Sequence, residues 1–181
     1  MILTDREIQI ALQTGVLKIE PRPKPDAVSS TSVDLTLGRD FAVWSSRPGM
    51  TICPGAKGFK YTDYIDLQEK RTGAHVLQPQ SFVLGWTAER VQIPINSRLA
   101  ARVEGKSSMA RLGVGIHVTA PTIHSGFEGQ VQLEIFNFGP NSIQLDEGMR
   151  ICQLIFEQTL GTPEKGYAGL FIGQEADKLG A

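Results

Sequence analysis

Residues 104–138, EGKSSMARLGVGIHVTAPTIHSGFEGQVQLEIFNF, carry the strongest signals of fold and of function in this sequence. At the start of 131–138, aliphatic residues alternate with other types, which predicts a strand with one buried face. Gln132, Glu134 and Phe136 share the opposite face of that strand. If that face is solvated, Glu134 is an ordinary strand glutamate. Phe136 on the same face favours instead a carboxylate that is partly shielded from bulk water and can accept a proton and then deliver it.

The same stretch begins with a segment rich in hydroxyls and cations. Within 106–111, KSSMAR, the two hydroxyls and two cations come from Lys106, Ser107, Ser108 and Arg111. The segment is predicted to lie where a turn enters a helix, and free N–H groups, hydroxyls and a guanidinium all favour anions there. The motif therefore predicts an anion-binding cradle. The alternative is that a serine only caps the helix and the cations are solvated.

The rest of the chain predicts a mainly β protein, because short apolar or alternating segments are separated by Gly, Pro and polar turns. The predicted strands are Val16–Glu20, Ser32–Leu37, Phe41–Trp44, Val76–Leu77, Phe82–Thr87, Arg90–Ile93, Leu99–Val103, Gly113–Val118, Val131–Phe138, Ile143–Leu145 and Arg150–Glu157. A turn is predicted at Gly38, and 47–72 is predicted to be an irregular insertion with short strands. Many short strands with few helices favour a compact β-barrel or sandwich.

A short helix is predicted near the N-terminus. Thr4 and Glu7 have the spacing of a capping box, and Leu3 and Ile8 that of the accompanying apolar staple. Gly15 is predicted to end the helix.

Length and composition indicate one domain, 1–181, with a glycine-rich flexible tail from about Gly161. The hydrophobic fraction of 41% and the charged fraction of 20% are ordinary for a globular protein. The net charge of −1 provides no basic field for nucleic acid. No apolar stretch approaches the roughly 20 residues of a membrane helix, and no signal peptide is recognisable. We expect neither nucleic acid nor a membrane as a partner.

The cysteines and histidines form no metal-binding pattern. Cys53 and Cys152 are far apart, and His75, His117 and His124 lack the spacing of zinc ligands. The sequence therefore predicts a reduced, cytoplasmic protein without zinc, and leaves a single disulfide open.

Several ordered motifs resemble those of one known family. The segment 106–113, KSSMARLG, is similar to the arginine-or-lysine, serine-serine, alanine-arginine motif of the dCTP deaminase branch of the trimeric dUTPase superfamily. Further matching segments are Leu3–Ile8, Ser32–Gly38, His117–Ala120, Gly126–Gly129, Leu133–Asn137 and Glu147–Glu157. The resemblance extends over nearly the whole chain except 47–72 and the tail.

The resemblance implies a homotrimer of distorted β-barrels, a dUTPase-like or β-clip fold, with active sites at the subunit interfaces. It also implies a deaminase that uses no zinc and converts dCTP and water to dUTP and ammonia. The substrate is then a pyrimidine deoxynucleoside triphosphate, and Mg²⁺ is expected to accompany its phosphates.

The family's functional residues map onto this chain. Glu134 corresponds to the general base that activates the water attacking C4, and Ser107 and Arg111 to groups that orient the water and the base. The resemblance implies that Arg111 acts in a neighbouring subunit's site. The residues expected to bind substrate are Lys106, Ser108, Ala120, His124, Gln132, Tyr167 and Gln174.

The chain departs from the family pattern at three positions. His124 replaces an expected acid near the deoxyribose, Thr122 a more basic residue, and Leu170 a lysine for which Lys165 is a candidate substitute. These departures keep several alternatives open. They favour a modified cytosine nucleotide as substrate or a nucleotide-binding trimer without catalysis. A dUTP diphosphatase or bifunctional deaminase–diphosphatase also stays open, although His124 counts against it.

Overall fold

Strands dominate the structure, as the sequence predicts. This computed structural model describes residues 1–117, 119–167, 173, 175 and 176. The elements found in those residues are α1 (Asp5–Thr14), β1 (Lys18–Glu20), β2 (Val33–Trp44), β3 (Gln68–Thr72), β4 (His75–Leu77), β5 (Phe82–Gln92), β6 (Leu99–Gly105), α2 (Ser107–Arg111), β7 (Val114–Ile116), β8 (Thr122–Ile123), β9 (Glu128–Asn137), β10 (Ile143–Leu145) and β11 (Arg150–Gln158). Short 3-10 helices lie at Pro25–Ala27, Tyr61–Leu67 and Ile95–Ser97. None of the described helices is long and apolar enough to cross a membrane.

The strands form a distorted, mainly antiparallel barrel. One sheet has the order β7-β9-β5-β2-β11-β6-β8, with β1 added beside β5 and β3 beside β2. Strands β4 and β10 pair separately. The neighbouring strands β9, β5 and β2 all contribute residues to the cavity described below.

Strand β2 turns the corner of the barrel without a break. It pairs with β11 over Val33–Thr36 and with β5 over Leu37–Ala42. The register of its pairing with β5 shifts between Leu37 and Phe41. The turn predicted at Gly38 is therefore wrong, because this residue lies inside the strand. A Cβ at Gly38 would lie 3.1 Å from the carbonyl oxygen of Trp86, so glycine lets the two strands approach closely at this corner.

A second corrected prediction concerns β5. The sequence predicts two strands, 82–87 and 90–93, whereas the structure has one strand with a register shift between Trp86 and Arg90. A β-bulge interrupts the alternation of the sequence without ending the strand. A single long β5 can therefore pair with β9 along nearly its whole length.

Helix α1 packs against the barrel through Ile8 and Ala11, which are buried. The predicted capping box is confirmed, because the Glu7 carboxylate accepts a hydrogen bond from Thr4 N at 3.0 Å. Gly15 ends the helix at φ +74°.

The disulfide left open by the sequence is absent, since Cys53 and Cys152 are both free. Cys53 is exposed and Cys152 is fully buried. Burial raises the pKa of the Cys152 thiol, and the nearby Glu89 and Asp34 carboxylates act in the same direction.

We expect only one of the two thiols to react in the native protein, because the thiolate is the reactive species and Cys152 is held as a thiol. Titration with a disulfide reagent should detect Cys53 alone in buffer and both thiols after denaturation. In Cys53→Ser no thiol should react before unfolding. A fast reaction of Cys152 in that variant would contradict the buried position.

Candidate active site

Glu134 projects from the middle of β9 into a cavity. Burial alternates along the strand, with Leu133 and Ile135 in the core, so Glu134 points to the other face as the sequence predicts. Leu84 of β5 lies directly opposite Glu134, and Phe82 lies opposite Phe136. Glu134 is therefore half-buried on a sheet face that also carries Gln132, Phe136 and Leu84.

The cavity beside Glu134 has a volume of about 420 Å³. Its lining combines aromatic rings with a few polar groups, a composition typical of a small-molecule site. The residues that line it are Trp44, Tyr61, Phe82, Leu84, His117, Ala120, Thr122, Ile123, His124, Phe127, Val131, Gln132, Glu134 and Tyr167. Tyr61 and Trp44 meet edge to face at 6.2 Å, so the 3-10 helix Tyr61–Leu67 supplies part of one wall.

The loop after β7 fixes Glu134 in two ways. The main-chain N–H of His117 donates to the carbonyl oxygen of Glu134 at 2.7 Å. The Thr119 hydroxyl donates to the Glu134 carboxylate. One loop thus holds both the backbone and the side chain of the predicted base.

His117 holds this loop in a conformation that few residues adopt. Its φ is +55°, in the left-handed region, and its Nε2 lies 2.6 Å from the Ala120 carbonyl oxygen. Since a carbonyl only accepts, Nε2 carries the proton and Nδ1 is the unprotonated nitrogen. Nδ1 is buried without a partner among the described residues. Burial lowers the pKa of His117, while Glu134 and the Ala120 carbonyl act in the opposite sense.

This lowered pKa predicts an acid-sensitive loop. The folded state disfavours the charged imidazole, so its contribution to stability is complete above the ordinary pKa of about 6.5 and is lost as the pH falls below it. We expect the melting temperature to fall between pH 7.5 and pH 5.5. His117→Gln retains a donor near Nε2 but does not titrate, and it should reduce that slope.

His75 is the matched control, because burial and Arg71 also lower the pKa of this residue outside the cavity. His75→Gln should remove only its own share of the pH dependence, as measured by thermal unfolding. A His117→Gln protein with the full wild-type slope would contradict the assignment.

The end of the cavity away from Glu134 is built around stacked rings. His124 and Tyr167 stack at 5.8 Å with an angle of 15°, and Phe127 packs on Tyr167 at 6.2 Å. Tyr167 N donates to the Ser125 carbonyl oxygen at 2.9 Å. A Cβ at Gly126 would lie 2.8 Å from Tyr167 N, so only glycine permits this approach.

A second cavity of about 380 Å³ shares these two rings. His124 and Tyr167 separate it from the first, and Lys165 borders it. The lysine that the sequence offers as a substitute for Leu170 therefore lies near the predicted site. Leu170 is outside the described residues.

The cradle predicted at 106–111 lies elsewhere on the chain. Ser107, Ser108 and Arg111 are exposed on α2, and none of them lines the cavity. Lys106 forms an ion pair with Asp34 at 2.6 Å. Arg111 forms no ion pair with any described residue. Both halves of the predicted site exist, but a single chain does not bring them together.

The structure thus sorts the predicted site residues into three groups. Those that line the cavity are Glu134, Ala120, His124, Gln132 and Tyr167. Those outside it are Lys106, Ser107, Ser108 and Arg111. Gln174 lies outside the described residues. The carbonyl oxygen of Ala120, a residue expected to bind substrate, accepts a hydrogen bond from His117.

The described lining of the cavity contains an acidic residue but no lysine or arginine. Among the described residues that line it, Glu134 is the only Asp or Glu. No group of three or more His, Cys, Asp or Glu in the described ranges could hold a metal ion. A highly charged anion in this cavity needs cations from outside its lining.

The sequence resembles a family of nucleotide-processing enzymes over almost its whole length. The model of the dCTP deaminase-like family matches residues 2–159. A "dCTP deaminase, dUMP-forming" of Aquifex aeolicus is 37% identical over 97% of this chain and 91% of the relative. A "dCTP deaminase" of Rhodospirillum rubrum is 36% identical over 99% and 93%. One from Haloarcula marismortui is 41% identical over 90% and 83%.

Solved structures agree with the fold. A 2'-deoxycytidine 5'-triphosphate deaminase from Agrobacterium tumefaciens superimposes with a TM-score of 0.63 at 25% identity. The match covers 87% of this chain and 48% of that chain, so this chain spans about half of its length. A mutant dUTPase of a Staphylococcus aureus phage has a TM-score of 0.52 at 13% identity, over 85% and 97% of the two chains, and it supports the dUTPase-like fold alone. The chain belongs to the dCTP deaminase-like family.

Proposed function

We propose that this protein is a dCTP deaminase that converts dCTP and water to dUTP and ammonia. The observation that carries the proposal is the position of Glu134, a carboxylate fixed by Thr119 beside a cavity with aromatic walls. Family membership supports the choice of nucleotide, because the relatives are named dCTP deaminases.

In the proposed reaction Glu134 takes a proton from water as the water oxygen bonds to C4 of cytosine. The proton passes to N3, which gives a tetrahedral carbon that carries both a hydroxyl and the amino group. Glu134 then moves the hydroxyl proton to the amino group, the C4–N bond breaks and ammonia leaves. General acid–base catalysis of this kind contributes about 10²–10⁴-fold.

We propose further that the site is completed by a second copy of the chain in a homotrimer. The cavity lacks a described Lys or Arg, whereas Ser107, Ser108 and Arg111 are exposed and outside it. A neighbour's α2 would supply the Ser107 hydroxyl and the Arg111 guanidinium that orient the water and Glu134. It would also supply the Ser108 hydroxyl to the triphosphate, whose charge the cavity alone cannot neutralise. Mg²⁺ enters this proposal as a companion of the substrate's phosphates.

His124 is assigned to the sugar end of the cavity. A neutral imidazole can donate to or accept from a deoxyribose hydroxyl, but it lacks the charge of the acid expected there. Its stacking on Tyr167 holds the ring in place. We assign Gln132 and Tyr167 to the same nucleotide, since both line the cavity.

A second candidate is a bifunctional enzyme that also releases pyrophosphate. The relative from Aquifex aeolicus is described as dUMP-forming, which favours this possibility. His124, in the position where a carboxylate is expected, disfavours it because a neutral imidazole is a weaker anchor for a water that attacks phosphorus.

Product analysis tests the proposal. Purified protein with Mg²⁺ would be given dCTP, 5-methyl-dCTP, CTP, dCMP and dUTP separately, and ammonia, pyrophosphate and nucleotide products would be measured. Ammonia and dUTP from dCTP are expected. Ammonia together with pyrophosphate and dUMP would establish the bifunctional alternative. Nucleotide binding without any product would overturn both.

A further inference from the structure

Asp34 and Lys106 form a largely buried ion pair at the point where β6 leads into α2. Lys106 Nζ donates to Asp34 Oδ1 at 2.6 Å, and the side chains of Lys106 and Asp34 are 26% and 10% exposed. Arg150 Nη1 of β11 lies 3.5 Å from the other oxygen, Oδ2. One carboxylate of β2 therefore joins β11 and the residue that precedes α2.

Helix α2 needs such an anchor because it is too short to be stable alone. It has five residues, and isolated helices below roughly 12–15 residues are marginal in water. Lys106 occupies the N-cap position but makes no capping hydrogen bond, and Met109 is the one buried side chain of the helix. The ion pair fixes the residue that immediately precedes the helix.

The other end of α2 is held by the main chain. Phe138 N donates to the Gly113 carbonyl oxygen at 2.7 Å, just after the helix. A Cβ at Gly113 would lie 2.5 Å from Gly139 N, so the two segments are in close contact. The Asp34–Lys106 pair is thus the side-chain restraint at the end where the serines begin.

We propose that Asp34 is a positioning residue of the deaminase site. It holds Lys106, and through Lys106 it sets the placement of Ser107, Ser108 and Arg111. The inference rests on the proposed function, in which these α2 groups act on the nucleotide of a neighbouring copy. A misplacement of about 1 Å can cost about 100-fold in rate, so a loosened helix should lower turnover.

The proposal also gives Lys106 a role that differs from that of a free phosphate ligand. Its ammonium is already paired within its own chain, and the pair is mostly shielded from water. Lys106 therefore acts chiefly as the anchor of α2. In this assignment the exposed Arg111 and the two serines make the contacts with the substrate.

Asp26 provides a matched control. Its carboxylate, 71% exposed, binds Arg150 Nη2 at 2.5 Å but has no contact with Lys106. Asp26→Asn removes a carboxylate from the same ion-pair network, which links Asp26, Arg150, Asp34 and Lys106. It leaves the Asp34–Lys106 pair intact.

The test compares steady-state ammonia release from dCTP by wild type, Asp34→Asn and Asp26→Asn, with thermal unfolding of each. Asp34→Asn is expected to lower kcat by about 10- to 100-fold with KM within about threefold. Asp26→Asn should stay within about twofold of wild type in both constants. Equal kinetics of the two variants would overturn the inference.

Lys106→Met tests the inference even if Asp34→Asn fails to fold. In this variant Asp34 keeps Arg150 as an ion-pair partner, so its carboxylate is not left unpaired. The variant should lose the same factor in kcat, and Asp34→Asn/Lys106→Met should be no slower than either single variant. A loss by Lys106→Met that appears in KM for dCTP and disappears for dCMP would assign Lys106 to the phosphates and overturn the inference. A wild-type protein without ammonia release would instead refute the proposed function itself.

Discussion

Glu134→Gln is expected to lower kcat for ammonia release from dCTP by about 10³-fold, within the range of general acid–base catalysis. The amide is nearly isosteric with the carboxylate and can still accept from the Thr119 hydroxyl, so the cavity should keep its shape. It cannot take a proton from water, so attack on C4 loses its base. Nucleotide affinity, measured by calorimetry, should change by less than about threefold.

Glu128→Gln is the control for this substitution. Glu128 is an exposed carboxylate at the start of the same strand, 3.7 Å from Arg90 and not part of the cavity. Its replacement should leave ammonia release within about twofold of wild type. Near wild-type turnover by Glu134→Gln would remove Glu134 from the role of base.

Arg111→Ala is expected to lower kcat/KM for dCTP by about 10²-fold, the usual cost of losing a charged donor to a transition state or substrate. In its own chain Arg111 is exposed and lies outside the cavity. A large effect on activity with an unchanged melting temperature is the result expected if Arg111 acts in another copy's site.

Arg6→Ala is the corresponding control, because Arg6 is an exposed arginine on α1. It removes the same charge from each chain and should leave kcat/KM unchanged. If both arginine variants behave alike, Arg111 contributes only to the net charge of the protein and the shared site is wrong.

Most of the fold could be predicted from the alternation of apolar residues. In β2 and β9 the inward positions are regular, and Leu35, Leu37 and Leu133 are fully buried as expected. The corner at Gly38 and the bulge in β5 could not be predicted, because both depend on where a neighbouring strand lies. A glycine in a strand pattern fits a turn and a close approach equally well in the sequence.

The site was predictable where a residue is unusual for its local pattern. Glu134 is such a residue, since it lies among apolar neighbours in the sequence and shares its strand face with Phe136. Thr119 was missed because a threonine in a loop has no distinctive signal until its contact with Glu134 is known. Tyr61 was missed because it comes from the irregular 47–72 segment, whose approach to the cavity depends on tertiary structure.

The separation of α2 from the cavity also lies beyond local sequence patterns. Helix α2 precedes β7, and the start of β7 at Val114 pairs with Asn137 at the end of β9, so α2 lies towards that end of the strand and not beside Glu134. The motif therefore predicts residue types for an anion site but not their position relative to Glu134. The resemblance to a trimeric family supplied the expectation of a shared site, and the geometry of one chain is consistent with it.

Complementation between two inactive variants tests the shared site most directly. Glu134→Gln and Arg111→Ala chains would be co-expressed with different tags, and doubly tagged oligomers would be assayed for ammonia release from dCTP. In a trimer that contains both variants, a site that takes Glu134 from one copy and Arg111 from the next is intact at about one of the three interfaces. Our account predicts activity near that fraction of wild type, whereas activity no greater than that of the two separate variants would contradict it.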